Sequence, residues 1–100
     1  MLIVHAKAEV ATQDLTGLLP ALQQMIEASN AEAGCVSYVF AQDVTRADLI
    51  HITEAWQDQA ALDAHFATAH MAAFQAAIKG KFKIVSGNKY LAGDPLPLRG

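Results

Sequence analysis

Three side chains with useful chemistry lie close together around a predicted strand-to-helix turn. Glu54 and Trp56 stand at the end of a predicted strand, and His65 follows on the next predicted helix. An imidazole can exchange a proton near neutral pH, so His65 is a candidate catalytic base. Glu54 would be a carboxylate on a largely apolar strand face, where it needs a partner or a raised pKa. We predict that Glu54 pairs with His65 and orients it; the alternative is a structural ion pair or, for Glu54, a contact at a dimer interface.

Aromatic side chains are expected to surround this pair. Tyr38 lies on the hairpin neighbour of the strand that carries Trp56, and the predicted helices contribute Phe66 and Phe74. A weakly polar aromatic cavity of this kind suits a flat, hydrophobic substrate. The same residues are equally compatible with an ordinary hydrophobic core.

The remaining reactive residue types give no comparable pattern. His65 and His70 are five residues apart, a rotation of about 140° on one helix, whereas a helical metal pair prefers a spacing of four. We therefore predict no metal site. Cys35 is expected to be a small buried residue rather than a nucleophile. Because no glycine-rich phosphate loop is present, we expect no nucleotide or flavin cofactor.

Hydrophobic periodicity predicts the elements that must position these residues. Predicted strands cover residues 2–10, 35–43, 48–56 and 81–90, and predicted helices cover 14–29, 60–66 and 70–78. Within 35–43, Val36 is expected to share a face with Tyr38 and Phe40, and Cys35 to lie on the other. Thr12 and Asp14 are candidate caps of the first helix, whose regular part should begin near Pro20 because proline disrupts a helix interior. Gly80 is expected to end the last helix.

The order β-α-β-β-α-β predicts a ferredoxin-like α+β fold, with one four-stranded antiparallel sheet and helices on one face. We assign residues 1–92 to this domain and 93–100 to a C-terminal tail. The other sheet face also carries apolar groups and needs a cover. Since 53% of the 100 residues are hydrophobic, we expect an oligomer interface.

Composition narrows the partners and the location. The net charge is −3 with only seven lysines and arginines, which argues against a nucleic-acid partner. No apolar run is long enough for a membrane span, and no signal peptide is apparent at the N-terminus. A single cysteine fits a reducing compartment. We therefore expect a cytoplasmic protein without a membrane partner.

Most of the chain resembles one family. The matching residues are Gly34-Cys35, Tyr38, Glu54-x-Trp56, Leu62-x-x-His65, His70-Met71-x-x-Phe74 and Lys79-Gly80. This pattern is similar to that of the antibiotic biosynthesis monooxygenase family, and within it to the small proteins that resemble quinol monooxygenases.

The resemblance implies a homodimer whose two sheets pack face to face as a dimeric α+β barrel. It also implies a cofactor-independent monooxygenase that oxidises a quinol or dihydroxyaromatic substrate with molecular oxygen. Under this interpretation His65 and Glu54 are catalytic. The implied substrate contacts are Trp56, Tyr38, Phe74, His70 and Phe66.

Two alternatives remain open because a fold does not fix a function. The first is another enzyme on the same scaffold, either an isomerase of a small ketone or a haem-degrading oxygenase. The resemblance disfavours haem, because relatives that degrade it carry tryptophan where this chain has His65 and histidine where it has Gln75. The second is a non-catalytic dimer that binds a small molecule, such as a stress-response protein, with His65 merely structural.

Overall fold

Four strands form one antiparallel sheet in the computed structural model, which describes all 100 residues. The strands are β1 (Leu2–Glu9), β2 (Cys35–Gln42), β3 (Leu49–Trp56) and β4 (Lys83–Leu91), and their order in the sheet is β2-β3-β1-β4. The helices are α1 (Thr12–Asn30), α2 (Gln59–Phe66) and α3 (Ala69–Ile78). This arrangement confirms the predicted ferredoxin-like α+β fold.

The core lies between the helices and one face of the sheet. Alternate residues of β3 point towards the helices, and Ile50, Ile52 and Trp56 are buried there. The apolar stripe of α1 packs against Ile50 and Trp56 through Leu18 and Met25. Burial of these two faces supplies the main driving force for the fold.

The first helix differs from its prediction at the N-terminal end. It begins at Thr12 with Ala11 as the N-cap, no side chain makes a capping hydrogen bond, and Pro20 lies within the helix. The expected caps at Thr12 and Asp14 and the late start near Pro20 were therefore wrong. Packing of the apolar stripe on both sides of the proline outweighs the one backbone hydrogen bond that proline removes.

A β-bulge at the start of β2 changes which residues point to each face of the sheet. The register with β3 shifts between Cys35 and Ser37, so the strict alternation predicted for this strand was wrong there. Val36 is exposed instead of sharing the buried face with Tyr38, and Cys35 packs against the core. An extra residue in one strand has this effect because it interrupts the two-residue period.

The helices leave a large part of the sheet uncovered. All nine residues of β4 are exposed, and Val39 and Tyr90 are exposed on the face opposite the helices.

Gly80 has a φ of +77° just after α3, which fits the predicted helix end. None of the helices combines the length and apolar character that a membrane crossing requires. The division at residue 92 stays a prediction.

Candidate active site

His65 is held in an aromatic environment on the inner side of α2. Asp58 caps this helix by accepting a hydrogen bond from the Ala61 backbone N–H, which fixes where the helix begins. The imidazole is 1% exposed. Its ring centroid lies 4.7 Å from that of Trp56 and 5.4 Å from that of Tyr38. A polar ring buried in this way needs a hydrogen-bond partner.

That partner is Glu32 rather than Glu54. Glu32 Oε2 lies 2.6 Å from His65 Nδ1 and 2.9 Å from His70 Nε2. Glu54 Oε1 instead accepts a hydrogen bond of 2.9 Å from Trp56 Nε1. The prediction that Glu54 pairs with His65 was therefore wrong. The Glu54 carboxylate is hydrogen-bonded to the neighbouring Trp56 indole instead.

The loop that carries Glu32 is fixed at both ends. At the end of α1, Asn30 binds the backbone of Tyr38 twice, donating from Nδ2 to the carbonyl and accepting at Oδ1 from the N–H. At the other end, the Gly34 carbonyl accepts from the Gln57 N–H at 2.9 Å. A Cβ at Gly34 would overlap Ala61 on α2. The loop therefore sits against α2, close enough for Glu32 to reach His65.

Thr68 links the two helices that carry the histidines. Its hydroxyl donates to the His65 carbonyl at 2.8 Å and accepts from the Met71 N–H, so it caps α3. His65 and His70 consequently lie on separate helices. The rotation expected for a single helix, which led to the prediction of no metal site, does not apply. One ligand atom from each of Glu32, His65 and His70 lies within 4.8 Å of the other two.

Glu54 is a buried acid beside this cluster. It is 8% exposed, and burial raises its pKa above the ordinary value, although the hydrogen bond from Trp56 opposes the shift. Loss of hydration disfavours the charged form. Glu54 is therefore easier to protonate than a surface glutamate and is suited to holding or releasing a proton.

Two further groups near the cluster stay neutral. Burial, reinforced by the charge of Glu54, raises the pKa of Tyr38 far above its usual range. Burial also raises the pKa of the Cys35 thiol, and the charge of Glu32 acts in the same direction. A thiol kept protonated is a poor nucleophile. Cys35 packs against the core but is only partly buried, not fully buried as expected.

One row of cross-strand neighbours connects the cluster to an open groove. Tyr38 pairs with Glu54, Glu54 with Val4, and Val4 with Lys89. A groove of about 320 Å³ lies between α2 and β4; its lining residues are Val4, Gln59, Leu62, Phe66, Gly87, Asn88 and Lys89. Lys89 Nζ donates to Gln59 Oε1 across it.

The residues predicted to contact a substrate are found in three settings. Trp56, Tyr38 and Phe74 are buried. Phe66 is exposed in the groove, with its ring centroid 5.6 Å from that of His65. His70 borders a crevice of about 40 Å³ between α1 and α3, together with Phe74. Sequence reasoning did not single out Glu32 or Lys89.

Comparison with known proteins identifies the relatives of this fold and sequence. The family model described as antibiotic biosynthesis monooxygenase matches residues 1–77. An uncharacterized protein of Synechocystis is 42% identical over 52 residues, which are 52% of this chain and 35% of that protein. The chain thus spans about a third of the length of this curated relative.

Solved structures with the same fold cover nearly the whole chain. A Deinococcus radiodurans protein assigned to the antibiotic biosynthesis monooxygenases superimposes with a TM-score of 0.88 at 24% identity, over 100% of both chains. An antibiotic biosynthesis monooxygenase has a TM-score of 0.80 at 28% identity, over 97% of this chain and 100% of the other. A Bacteroides thetaiotaomicron protein of unknown function has a TM-score of 0.81 at 26% identity, over 89% and 94%.

Proposed function

This chain belongs to the antibiotic biosynthesis monooxygenase family, and we propose that it oxidises a quinol or dihydroxyaromatic substrate with molecular oxygen, without a bound cofactor. In this proposal His65 is the catalytic base and Glu32 its positioning residue. A monooxygenase-like role follows from the family.

The contact between His65 and Glu32 is the observation that carries the proposal. A neutral imidazole has one N–H, and a carboxylate can only accept. The 2.6 Å contact therefore places the proton on Nδ1 and leaves the lone pair on Nε2, the tautomer that a general base requires. Burial of the ring among Trp56 and Tyr38 limits competing hydrogen bonds from water.

The proposed reaction begins when His65 removes a proton from the substrate. The electron-rich anion passes one electron to O₂, and the resulting radical pair combines at a ring carbon to form a hydroperoxide. Loss of water from the hydroperoxide leaves a carbonyl group. One oxygen atom ends in the carbonyl and the other in water. The substrate supplies four electrons and two hydrogens, the proton that His65 removed and returns and the hydrogen on the ring carbon that becomes the carbonyl, so the step balances.

We place the substrate in the groove between α2 and β4. Phe66 offers an exposed aromatic face there, and Lys89 offers a cation for a phenolate. Because the Phe66 ring adjoins His65, we propose that rotation of this side chain gives the substrate access to the imidazole. Glu54 lies on the same sheet face beside the groove residue Val4 and serves as a second proton-holding group. Trp56, Tyr38 and Phe74 exclude water, and His70 helps to hold Glu32.

We further propose that the functional form is a homodimer. The uncovered face of the sheet and the exposed strand β4 support this proposal, as does the high hydrophobic content of 53%. Small monomers rarely leave large apolar patches in water. Packing two sheets face to face would cover Val39 and Tyr90.

Oxygen uptake tests this function directly. EDTA-treated protein is assayed against dihydronaphthoquinols and hydroxylated polycyclic aromatics beside His65→Asn, which keeps a polar side chain of similar reach at the Nδ1 position. We expect uptake above autoxidation for the wild type and a loss of at least about 100-fold in the variant, in the range of general-base contributions.

Other outcomes point to the competing functions. Turnover of a ketone without oxygen would replace the proposal with isomerase activity, and a visible absorption band after incubation with haem would replace it with haem chemistry. Binding of the quinols without uptake, unchanged in His65→Asn, would identify a non-catalytic binding protein.

A further inference from the structure

We propose that Glu32, His65 and His70 form a binding site for a divalent transition-metal ion of the Zn²⁺ class. One ligand atom from each residue lies within 4.8 Å of the other two, and the contacts of Glu32 Oε2 with His65 Nδ1 and His70 Nε2 indicate these three atoms as the ligands. The proposed reaction does not call for this site. It arises because the α1–β2 loop and the junction between α2 and α3 meet at one point.

The cluster is close to the dimensions that a metal needs. Zinc binds nitrogen and oxygen ligands at about 2.0–2.2 Å, so neighbouring ligand atoms in a tetrahedral site lie about 3.3–3.5 Å apart. Glu32 Oε2 lies 2.6 Å from one histidine nitrogen and 2.9 Å from the other. The two histidine ligand atoms lie within 4.8 Å of each other. Movements of up to about 1 Å in each side chain would bring all three distances to those of a metal site.

The surroundings favour a metal ion that enters from solvent. His65 is almost fully buried, whereas the side chains of Glu32 and His70 are 14% and 21% exposed. Two imidazoles and one carboxylate suit Zn²⁺, Co²⁺ or Ni²⁺ better than Mg²⁺ or Ca²⁺, which prefer all-oxygen sites. Three protein ligands leave a fourth position for water.

Metal binding and base catalysis exclude each other at His65. A metal on Nδ1 displaces the proton that Glu32 holds there, and the neutral ring then carries its only proton on Nε2. Nε2 can no longer accept a proton from a substrate. We therefore infer that a metal ion bound at this site stops oxygen-dependent turnover. This inference rests on the proposed function.

Calorimetry measures the site without reference to activity. The EDTA-stripped, dialysed full-length protein is titrated with ZnCl₂, and Co²⁺ is added separately to follow its visible absorption. We expect saturable binding of one ion per chain and Co²⁺ bands typical of low coordination number. Glu32→Gln and His70→Ala should each weaken binding at least tenfold, and circular dichroism verifies that both variants are folded.

His51→Ala is the matched control. His51 Nε2 lies 2.7 Å from Asp43 Oδ2, so His51 is also a histidine paired with a carboxylate. It does not belong to the group of three possible metal ligands. This variant should keep the wild-type affinity. The metal site is ruled out if the wild type shows no saturable binding, or if His51→Ala loses as much affinity as His70→Ala.

Oxygen uptake with and without saturating Zn²⁺ separates the two proposals. Each variant is compared with its own rate in the absence of Zn²⁺, because His70 also helps to hold Glu32. Zinc inhibition of the wild type that disappears in His70→Ala supports the inference that the bound metal blocks catalysis. If Zn²⁺ binds tightly and turnover stays complete, the inferred inhibition is wrong but the metal site stands. Tight binding in a protein that never consumes oxygen would leave the metal site standing and remove the proposed function.

Discussion

At the scale of single residues, the proposed chemistry depends on the contact between Glu32 and His65. His65 was identifiable from the sequence because its position after Leu62 predicts a core-facing imidazole. Glu32 was not, because it lies 33 residues earlier in an irregular loop, and no local spacing relates the two. The Glu54–Trp56 hydrogen bond was equally invisible, since the sequence shows only that both side chains share a strand face.

Substituting Glu54 by glutamine tests the buried acid. Its folded-state pKa is raised, so the folded protein holds a proton that the unfolded chain releases. The stability that this proton contributes is present below the unfolded value, near 4.5, and is lost as pH rises through the folded pKa. Glu54→Gln keeps the oxygen that accepts from Trp56 but cannot ionise.

The free energy of unfolding of the wild type, relative to Glu54→Gln, should therefore fall as the pH is raised from about 4 to 8. Urea denaturation at several pH values measures this difference. A difference that stays constant, or that grows in favour of the wild type with rising pH, would contradict the assignment of a desolvated carboxyl.

At the scale of elements, the site depends on two junctions rather than on any one helix or strand. The hydrophobic periods located all seven elements, including the break near Thr68. They could not give the bulge at Cys35 or the helical course through Pro20, because both depend on tertiary packing. The close approach of Gly34 to Ala61 likewise appears only when the loop is placed on α2.

Two glycine-to-alanine substitutions test whether the close packing of Gly34 on Ala61 matters, one at Gly34 and a control at Gly17. Gly34→Ala would force a Cβ onto Ala61, and overpacking of this kind costs about 1–3 kcal/mol. Gly17→Ala adds a methyl group with nothing within 4 Å inside α1, where alanine is favoured over glycine by about 0.5–1 kcal/mol.

Thermal unfolding should therefore show a lower Tm for Gly34→Ala and a higher one for Gly17→Ala. Adding Ala61→Gly to Gly34→Ala should restore part of the loss. Turnover should fall in Gly34→Ala, because the displaced loop carries Glu32, and should be unchanged in Gly17→Ala. Equal effects of the two single substitutions would show that the loop is not tightly packed on α2.

At the scale of the whole molecule, one face of the sheet is covered by helices and the other is open. The sequence predicted this imbalance from four strands with only one helical layer and an excess of apolar residues. It could not say that β4 would be exposed along its full length, because that depends on where α2 and α3 lie on the sheet.

A charge on the open face tests the proposed dimer. Val39 is 47% exposed on that face, and Val44 is fully exposed in the β2–β3 turn. Val39→Glu should dissociate the dimer, because an unpaired carboxylate is costly to bury, whereas Val44→Glu should leave it intact. Sedimentation velocity gives both masses. A monomeric wild type would contradict the proposed dimer, and a dimer that survives Val39→Glu would place the interface elsewhere.

The most direct test of the central claim is the oxygen-uptake rate of Glu32→Gln under metal-free conditions. A glutamine can still contact His65 but loses the charge that fixes the proton on Nδ1. We predict a fall in kcat of at least about tenfold with KM changed only a few-fold, since the substrate contacts in the groove are untouched. His51→Ala should retain wild-type kcat. An unchanged kcat in Glu32→Gln would contradict the account, because Glu32 would then have no part in making His65 a base.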